Sequence, residues 1–251
     1  QIPDKVQAWQ DLHSLTQDHD SNVRSSVANA LGTVFSQIPD KVQAWQDLHS
    51  LTRDSGRYVR MNAYHSLGRT SVFKATEAFD TDTFKKELKV AVTYFEKSSQ
   101  ESKDGPASFC YPFYRSYLAI TFQEAKDDEV QKYLAKARKV VGGSESKALL
   151  LDAVENLAKA LEEMHKQRQS RYEEANWNEI QKDLKVVYEP YCSMAAMLLD
   201  KSEKLAPGAT KCVRKAFPII GEHIENTIAD IQARSRALCR AAYGSKTLRP
   251  I

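Results

Sequence analysis

The densest run of chemistry-bearing side chains lies between Ser108 and Phe122, SFCYPFYRSYLAITF. Phe113, Tyr117 and Ile120, with Tyr114, recur at helical spacing. Tyrosine and arginine are enriched at binding hot spots because each joins a large contact area to a polar end. Tyr111, Tyr114, Arg115 and Tyr117 are therefore candidates for a pocket or a partner-binding surface. The competing reading of the same stripe is a bundle core with tyrosine hydroxyls at its edge.

Other reactive groups are scattered. Cys110, Cys192, Cys212 and Cys239 show no CxxC or Cys/His ligand spacing, which predicts reduced core thiols and no zinc site. Glu162, Glu163 and His165 follow one another too closely to share a helix face, so no metal site is expected there. GxxxxGK[ST], Rossmann glycines, HExxH and GxSxG are all absent. These observations predict a non-enzymatic protein without a cofactor. Arg234, Arg236, Arg240, Lys246 and Arg249 make a local basic excess that reads as a solvated helix face. RNA or an acidic protein surface is its alternative.

Composition sets outer bounds. The chain has 251 residues, 42% hydrophobic and 27% charged, and can bury one large core or two smaller ones. Its 36 basic and 33 acidic residues leave a net charge of +3, which disfavours nucleic acid as a partner. No apolar run reaches the 18 or so residues of a membrane span, and no leader pattern opens the chain, so a cytoplasmic protein off the membrane is expected.

These candidates are positioned by helices. QIPDKVQAWQDLHSLT occupies residues 1–16 and again 37–52, and units 1–36 and 37–72 align without a gap. A fixed period in this range is the signature of stacked repeats. Pro3 and Asp4 open the first helix of the unit, with Asp4 and Gln7 resembling a capping box. Val6, Trp9, Leu12 and Leu15 then give one apolar stripe, and Trp9 and Trp45 read as core anchors. After the polar stretch 17–21, Val23, Val27, Ala30, Leu31 and Val34 mark the buried face of a second helix. Gly32 and Gly68 fall inside second helices, where glycine costs about 1 kcal/mol against alanine; close packing of neighbours is the expected reason. A chain that begins within a repeating pattern also predicts a longer parent array.

Asp18-x4-Val23-Arg24-x5-Ala30-Leu31-Gly32 resembles the second half of a HEAT repeat, in particular the short HEAT-like type named after phycobilisome lyases. Asp54, Val59, Arg60, Leu67 and Gly68 carry the same pattern, with Ser66 in place of the usual Ala. The resemblance covers residues 1–73. It implies a polar ladder of Asp18, Arg24, Asp54 and Arg60 that fixes the stacking. It also implies that the second helices line a concave binding face, which makes Tyr58, Asn62, His65 and Arg69 contact candidates. An ordinary solvated face is the alternative. The chain as a whole resembles archaeal HEAT-repeat proteins that carry a non-repeat helical tail.

Beyond the repeats the composition shifts: Glu77 is the first glutamate, while seven aspartates precede it. This places a boundary near residue 78, with repeats at 1–36 and 37–73 and an α-helical domain over 79–251. Six helices are expected there, over 81–99, 112–124, 128–141, 144–168, 176–204 and 210–243, with kinks at Pro190 and Pro218. The predicted fold class is all-α, an α-solenoid of two helix pairs followed by a helical bundle. The predicted function is a scaffold or adaptor that binds a protein partner through the concave face or the aromatic segment. The alternative is a lyase-like HEAT protein holding a chromophore or other small molecule in a helical cavity. Its structural mark would be an apolar pocket converging on Tyr114, Arg115 and a cysteine.

Overall fold

The structure, a computed structural model, describes residues 5–169 and 177–244, with the side chains of 167–169, 177–184, 232, 234, 235 and 238–244 left out. The fold is all-α. Two helix pairs come first: α1 (Lys5–Leu15) with α2 (Ser21–Val34), then α3 (Lys41–Leu51) with α4 (Arg57–Glu77). A 3-10 turn at Phe35–Gln37 joins them. Seven helices follow: α5 (Thr81–Glu101), α6 (Ala107–Phe122), α7 (Asp127–Lys139), α8 (Glu145–Gln169), α9 (Trp177–Ser202), α10 (Pro207–Arg214) and α11 (Ala216–Gly244). Among the described residues no strand occurs, and no helix is long and apolar enough to cross a membrane.

Aspartates set the helix starts, because a side-chain acceptor satisfies amides that the first turn leaves open. Asp20 accepts from the Asn22 amide at 2.8 Å, Asp40 from Gln43 at 2.9 Å and Asp80 from Thr83 at 2.7 Å. Gln43 reaches forward to Asp47 (2.9 Å) and not back toward Asp40, so only the aspartate half of a capping box forms. Asp4, its counterpart in the first unit, lies outside the described residues.

Two expected helices are drawn differently. The helix expected at 112–124 begins at Ala107, because Pro106 takes the capping position and leaves Pro112 within the helix. The one expected over 210–243 is two helices: α10 ends at Arg214 and α11 starts at Ala216. Pro218 therefore sits in a first turn, where its missing N–H has no intrahelical partner to lose, and it makes no mid-helix kink. Among the described residues the region after residue 79 thus holds seven helices, one more than the pattern predicts.

The duplicated sequence shows how much burial depends on neighbours. Leu48 and Leu51 are 0% and 4% exposed, while their copies Leu12 and Leu15 are half-buried and 38% exposed. The second unit is covered because α2 lies against α3 and α4. Among the described residues nothing covers the first unit in the same way, and an open apolar groove of about 360 Å³ runs past Leu12, Leu15, Val23, Val27 and Ala30. The close approach expected at the two glycines is present. A Cβ on Gly32 would lie 2.4 Å from Ser66 Oγ, and one on Gly68 would lie 2.5 Å from the Phe95 ring.

The polar ladder runs along the same layer. Arg24 donates to Asp54 through Nε (2.6 Å) and Nη2 (3.0 Å), while its Nη1 donates to the carbonyls of Asp18 and His19. Arg60 repeats the pattern one unit on, donating to Glu101 at 2.9 and 2.8 Å and to the carbonyls of Asp54 and Ser55. Glu101, at the end of α5, takes the place that Asp54 holds just after α3, and α4 packs on both α2 and α5. Asp18 accepts the Asp20 amide at 2.8 Å.

Among the described residues two apolar clusters form. One gathers Trp9, Val27, Leu31, Phe35, Leu48 and Leu67 from the helix pairs. The other begins with Val72 and Ala75 and runs through α5, α6, α8 and α10 to Ile231. The core changes hands inside α4, ahead of the turn at 78–80 where the composition shifts. α4 packs on α2 and α3 on one side and on α5 and α10 on the other.

Candidate ligand-binding site

A cavity of about 750 Å³ lies between α4 and α6. Its volume falls in the range of small-molecule sites and would hold on the order of 25 waters. Six separated stretches build it, Phe95 of α5 being one. α4 contributes His65, Arg69, Val72, Phe73 and Thr76, which recur at the three- and four-residue steps of one helix stripe. α6 contributes Phe109, Cys110, Phe113 and Tyr114 from a single face. Gly32, Thr33, Phe35 and Ser36 close one side, and Ser146, Lys147 and Leu150 of α8 close another. The segment Leu205–Ala209, where α9 gives way to α10, completes the wall.

The interior is aromatic. Phe95 stacks on Tyr114 with ring centroids 5.2 Å apart, Phe109 on Phe113 at 5.2 Å, and His65 tilts against Phe95 at 5.7 Å. His65 is 8% exposed, and its Nε2 lies 3.7 Å from Cys110 Sγ. Its Nδ1 is buried without a hydrogen-bond partner among the described residues. Burial first, and then the nearby cations Arg69 and Lys147, bring the imidazole pKa down to about 4. Burial also pushes the Cys110 thiol up to about 11, against the pull of the same two cations. Desolvation disfavours both charged forms, so at neutral pH the pair is a neutral imidazole beside a thiol.

The eight residues expected to meet a partner are distributed as follows. His65, Arg69 and Tyr114 come together in the cavity. His65 is buried, which corrects its placement on an open concave face: Phe95 of α5 and Cys110 of α6 pack against it, while Tyr114, also buried, lines a pocket, one of its two expected settings. Asn62 spends its amide on Ser25, donating to Oγ at 2.8 Å, and Arg69 donates to Thr33 Oγ1 at 3.0 Å. Both are cross-links between α2 and α4. Tyr58 is 65% exposed and stands outside the cavity.

Helical spacing separates the aromatic segment. Tyr111 and Arg115, four residues apart, turn toward α5 and α7: Tyr111 donates to Glu96 at 2.8 Å, and Arg115 bonds Glu129 at 3.3 Å and lies against the Tyr133 ring. Arg115 is therefore absent from the pocket it was expected to serve. Tyr117 is fully buried and donates to the Cys212 carbonyl at 2.7 Å, so it is a core residue and cannot touch a partner. Sequence reasoning missed Lys147, Ser146 and the 205–209 segment. No periodicity relates position 147 to positions 65 and 110, and only the packing of α8 brings them together.

Of the basic residues near the C-terminus, Arg236 is exposed; the side chains of Arg234 and Arg240 and the whole of Lys246 and Arg249 lie outside the described residues, as does the Cys239 side chain. Among the described residues no group of three or more His, Cys, Asp or Glu side chains could hold a metal ion. Comparison with protein-family models, curated proteins and solved structures finds no match to this chain.

Proposed function

We propose that this chain is a non-catalytic binding protein of the HEAT-like repeat type, and that it takes up a small apolar molecule in the cavity between α4 and α6. The observation that carries this reading is the cavity itself: about 750 Å³, walled by phenylalanines, and assembled from six stretches of chain. Apolar sites of this size with a few convergent polar groups are the usual form of a small-molecule site. A non-catalytic role is supported by the neutral state of His65 and Cys110, since nucleophilic catalysis by cysteine requires a thiolate. The HEAT-like assignment is supported by the 36-residue duplication and by the Arg24–Asp54 contact between units.

The test is uptake of N-phenyl-1-naphthylamine, a neutral probe that fluoresces in apolar surroundings. Saturable uptake, lost in a Ser146→Trp variant that fills the cavity while keeping its circular dichroism, is the expected result. Uptake that is absent, or unchanged in the filled variant, would remove the reading.

A second reading, a scaffold for a protein partner, is favoured by the exposed ring of Tyr58. On that reading Tyr58→Ala weakens partner capture and leaves probe uptake intact.

A further inference from the structure

The geometry points to an amphipathic anion as the occupant of this cavity: an aliphatic or aromatic body bearing one carboxylate or phosphate head. This inference rests on the cavity being a binding site, as proposed above.

Charge is the first observation. Arg69 and Lys147 both line the cavity, and among the described residues no Asp or Glu does. Arg24, Arg60, Arg115, Arg138 and Arg214 each hold a carboxylate elsewhere in the fold. Among the described residues, by contrast, Arg69 bonds the neutral hydroxyl of Thr33, and Lys147 Nζ faces the Phe109 ring at 5.4 Å. Two half-buried cations beside apolar walls call for an anion, because a cation drawn out of water is stabilised by an opposite charge.

Helix ends add to this. The first turn of α8 brings Ser146 and Lys147 to the cavity, and the first turn of α10 brings Gly208 and Ala209. The residue capping α10, Ala206, supplies no side-chain acceptor. Open amides at a helix N-terminus favour a negatively charged group. The buried Nδ1 of His65 offers one more polar atom that a ligand can satisfy.

The body of the ligand is set by the walls. Phe35, Val72, Phe95, Phe109, Phe113 and Leu150 leave an apolar interior that a bare inorganic ion would not fill. An alkyl chain or an aromatic ring system would occupy it, with the head group held at Arg69 and Lys147.

The experiment is displacement of N-phenyl-1-naphthylamine from the intact protein by dodecanoate, dodecyl phosphate, dodecanol and inorganic phosphate, all below micelle-forming concentrations. One or both anionic amphiphiles should displace the probe at least about tenfold more tightly than dodecanol, as a charge-assisted contact implies, and inorganic phosphate should not displace it. The stronger of the two identifies the head group. Lys147→Met and Arg69→Met should each shrink that preference while retaining probe uptake; Lys147→Met makes no change to the α2–α4 cross-link and serves if Arg69→Met does not fold. Equal displacement by dodecanol and both anions would overturn the inference and leave the cavity reading standing. So would displacement by inorganic phosphate as strong as that by either amphiphile. Absence of probe uptake in the unmodified protein would overturn both.

Discussion

Arg24 of the first helix pair grips the Asp54 carboxylate of the second through two hydrogen bonds, at 2.6 and 3.0 Å, with side chains only 15% and 10% exposed. The contact joins positions 30 residues apart, and one unit later Arg60 makes the same kind of contact to Glu101. A bidentate arginine–carboxylate pair fixes direction as well as distance, so it sets how one helix pair turns against the next.

This ladder has a pH signature. The Asp54 carboxyl is held below the usual carboxylate range, first by its bond from Arg24 and also by the Gly56 amide, with burial pulling the other way. Glu101 is lowered by Arg60 in the same manner. A carboxyl whose folded pKa is depressed stabilises the fold fully above its unfolded value, about 4, and loses that contribution as pH falls through the folded pKa. Melting temperature measured from pH 6 to pH 2 should therefore fall less steeply below about pH 4 in Asp54→Asn and Glu101→Gln than in the parent. Parallel curves would show that the ladder is not part of the acid response.

His65 gives a second, separate window. Its folded pKa lies near 4 because burial disfavours the imidazolium, whereas an unfolded histidine titrates near 6.5. The unfolded chain therefore binds a proton that the folded chain does not, and stability falls as pH drops from about 6.5 to about 4. One proton over that span corresponds to about 3 kcal/mol. His65→Gln should flatten denaturant-derived stability across this window, leaving a residual slope from His49, which burial also lowers.

The duplicated leucines are an internal control. Leu48 is fully buried, so Leu48→Ala should cost about 2–5 kcal/mol. Leu12 is the same residue in the same local sequence but half-buried, so Leu12→Ala should cost less than about 1 kcal/mol. Chemical denaturation of the two variants checks this, and equal costs would mean that the open end is covered in solution.

Glycine replacements should differ in sign. An added Cβ at Gly68 would meet the Phe95 ring, so Gly68→Ala should destabilise by about 1–3 kcal/mol. At Gly221, inside α11, a Cβ meets nothing within 4 Å, and Gly221→Ala should stabilise by up to about 1 kcal/mol. Thermal melts of the two variants check the contrast.

The helices were legible because their signals are local. Aspartate caps, apolar stripes and the exact repeat lie within a few residues or at a fixed period, and α5 starts at Thr81 as expected and ends two residues beyond the expected Ser99. Prolines are less legible. The pattern predicts a helix start at Pro112 and a kink at Pro218, but a proline's role depends on which helix position it occupies. Val42 shows the limit of a stripe: in register with Trp45 and Leu48, it is nonetheless 69% exposed.

The candidate site was legible only in part. His65, Arg69 and Tyr114 could be marked because their types suit recognition, but that they share one cavity could not, nor that Arg115 faces away from it. Tyr111 and Tyr117 differ by six residues, yet one bonds Glu96 at the edge and the other is sealed beneath Cys212. By itself the sequence determined most of the helices and the 36-residue period, since these follow from propensities and spacings along the chain, while the arginine and aspartate of the ladder were implied by the HEAT-like resemblance. Tertiary structure alone decided that Glu101 completes the ladder, that Lys147 joins Arg69, and that Leu12 lies open while Leu48 is sealed. Burial and charge environment are set by which distant segments pack together, and no spacing along the chain encodes that.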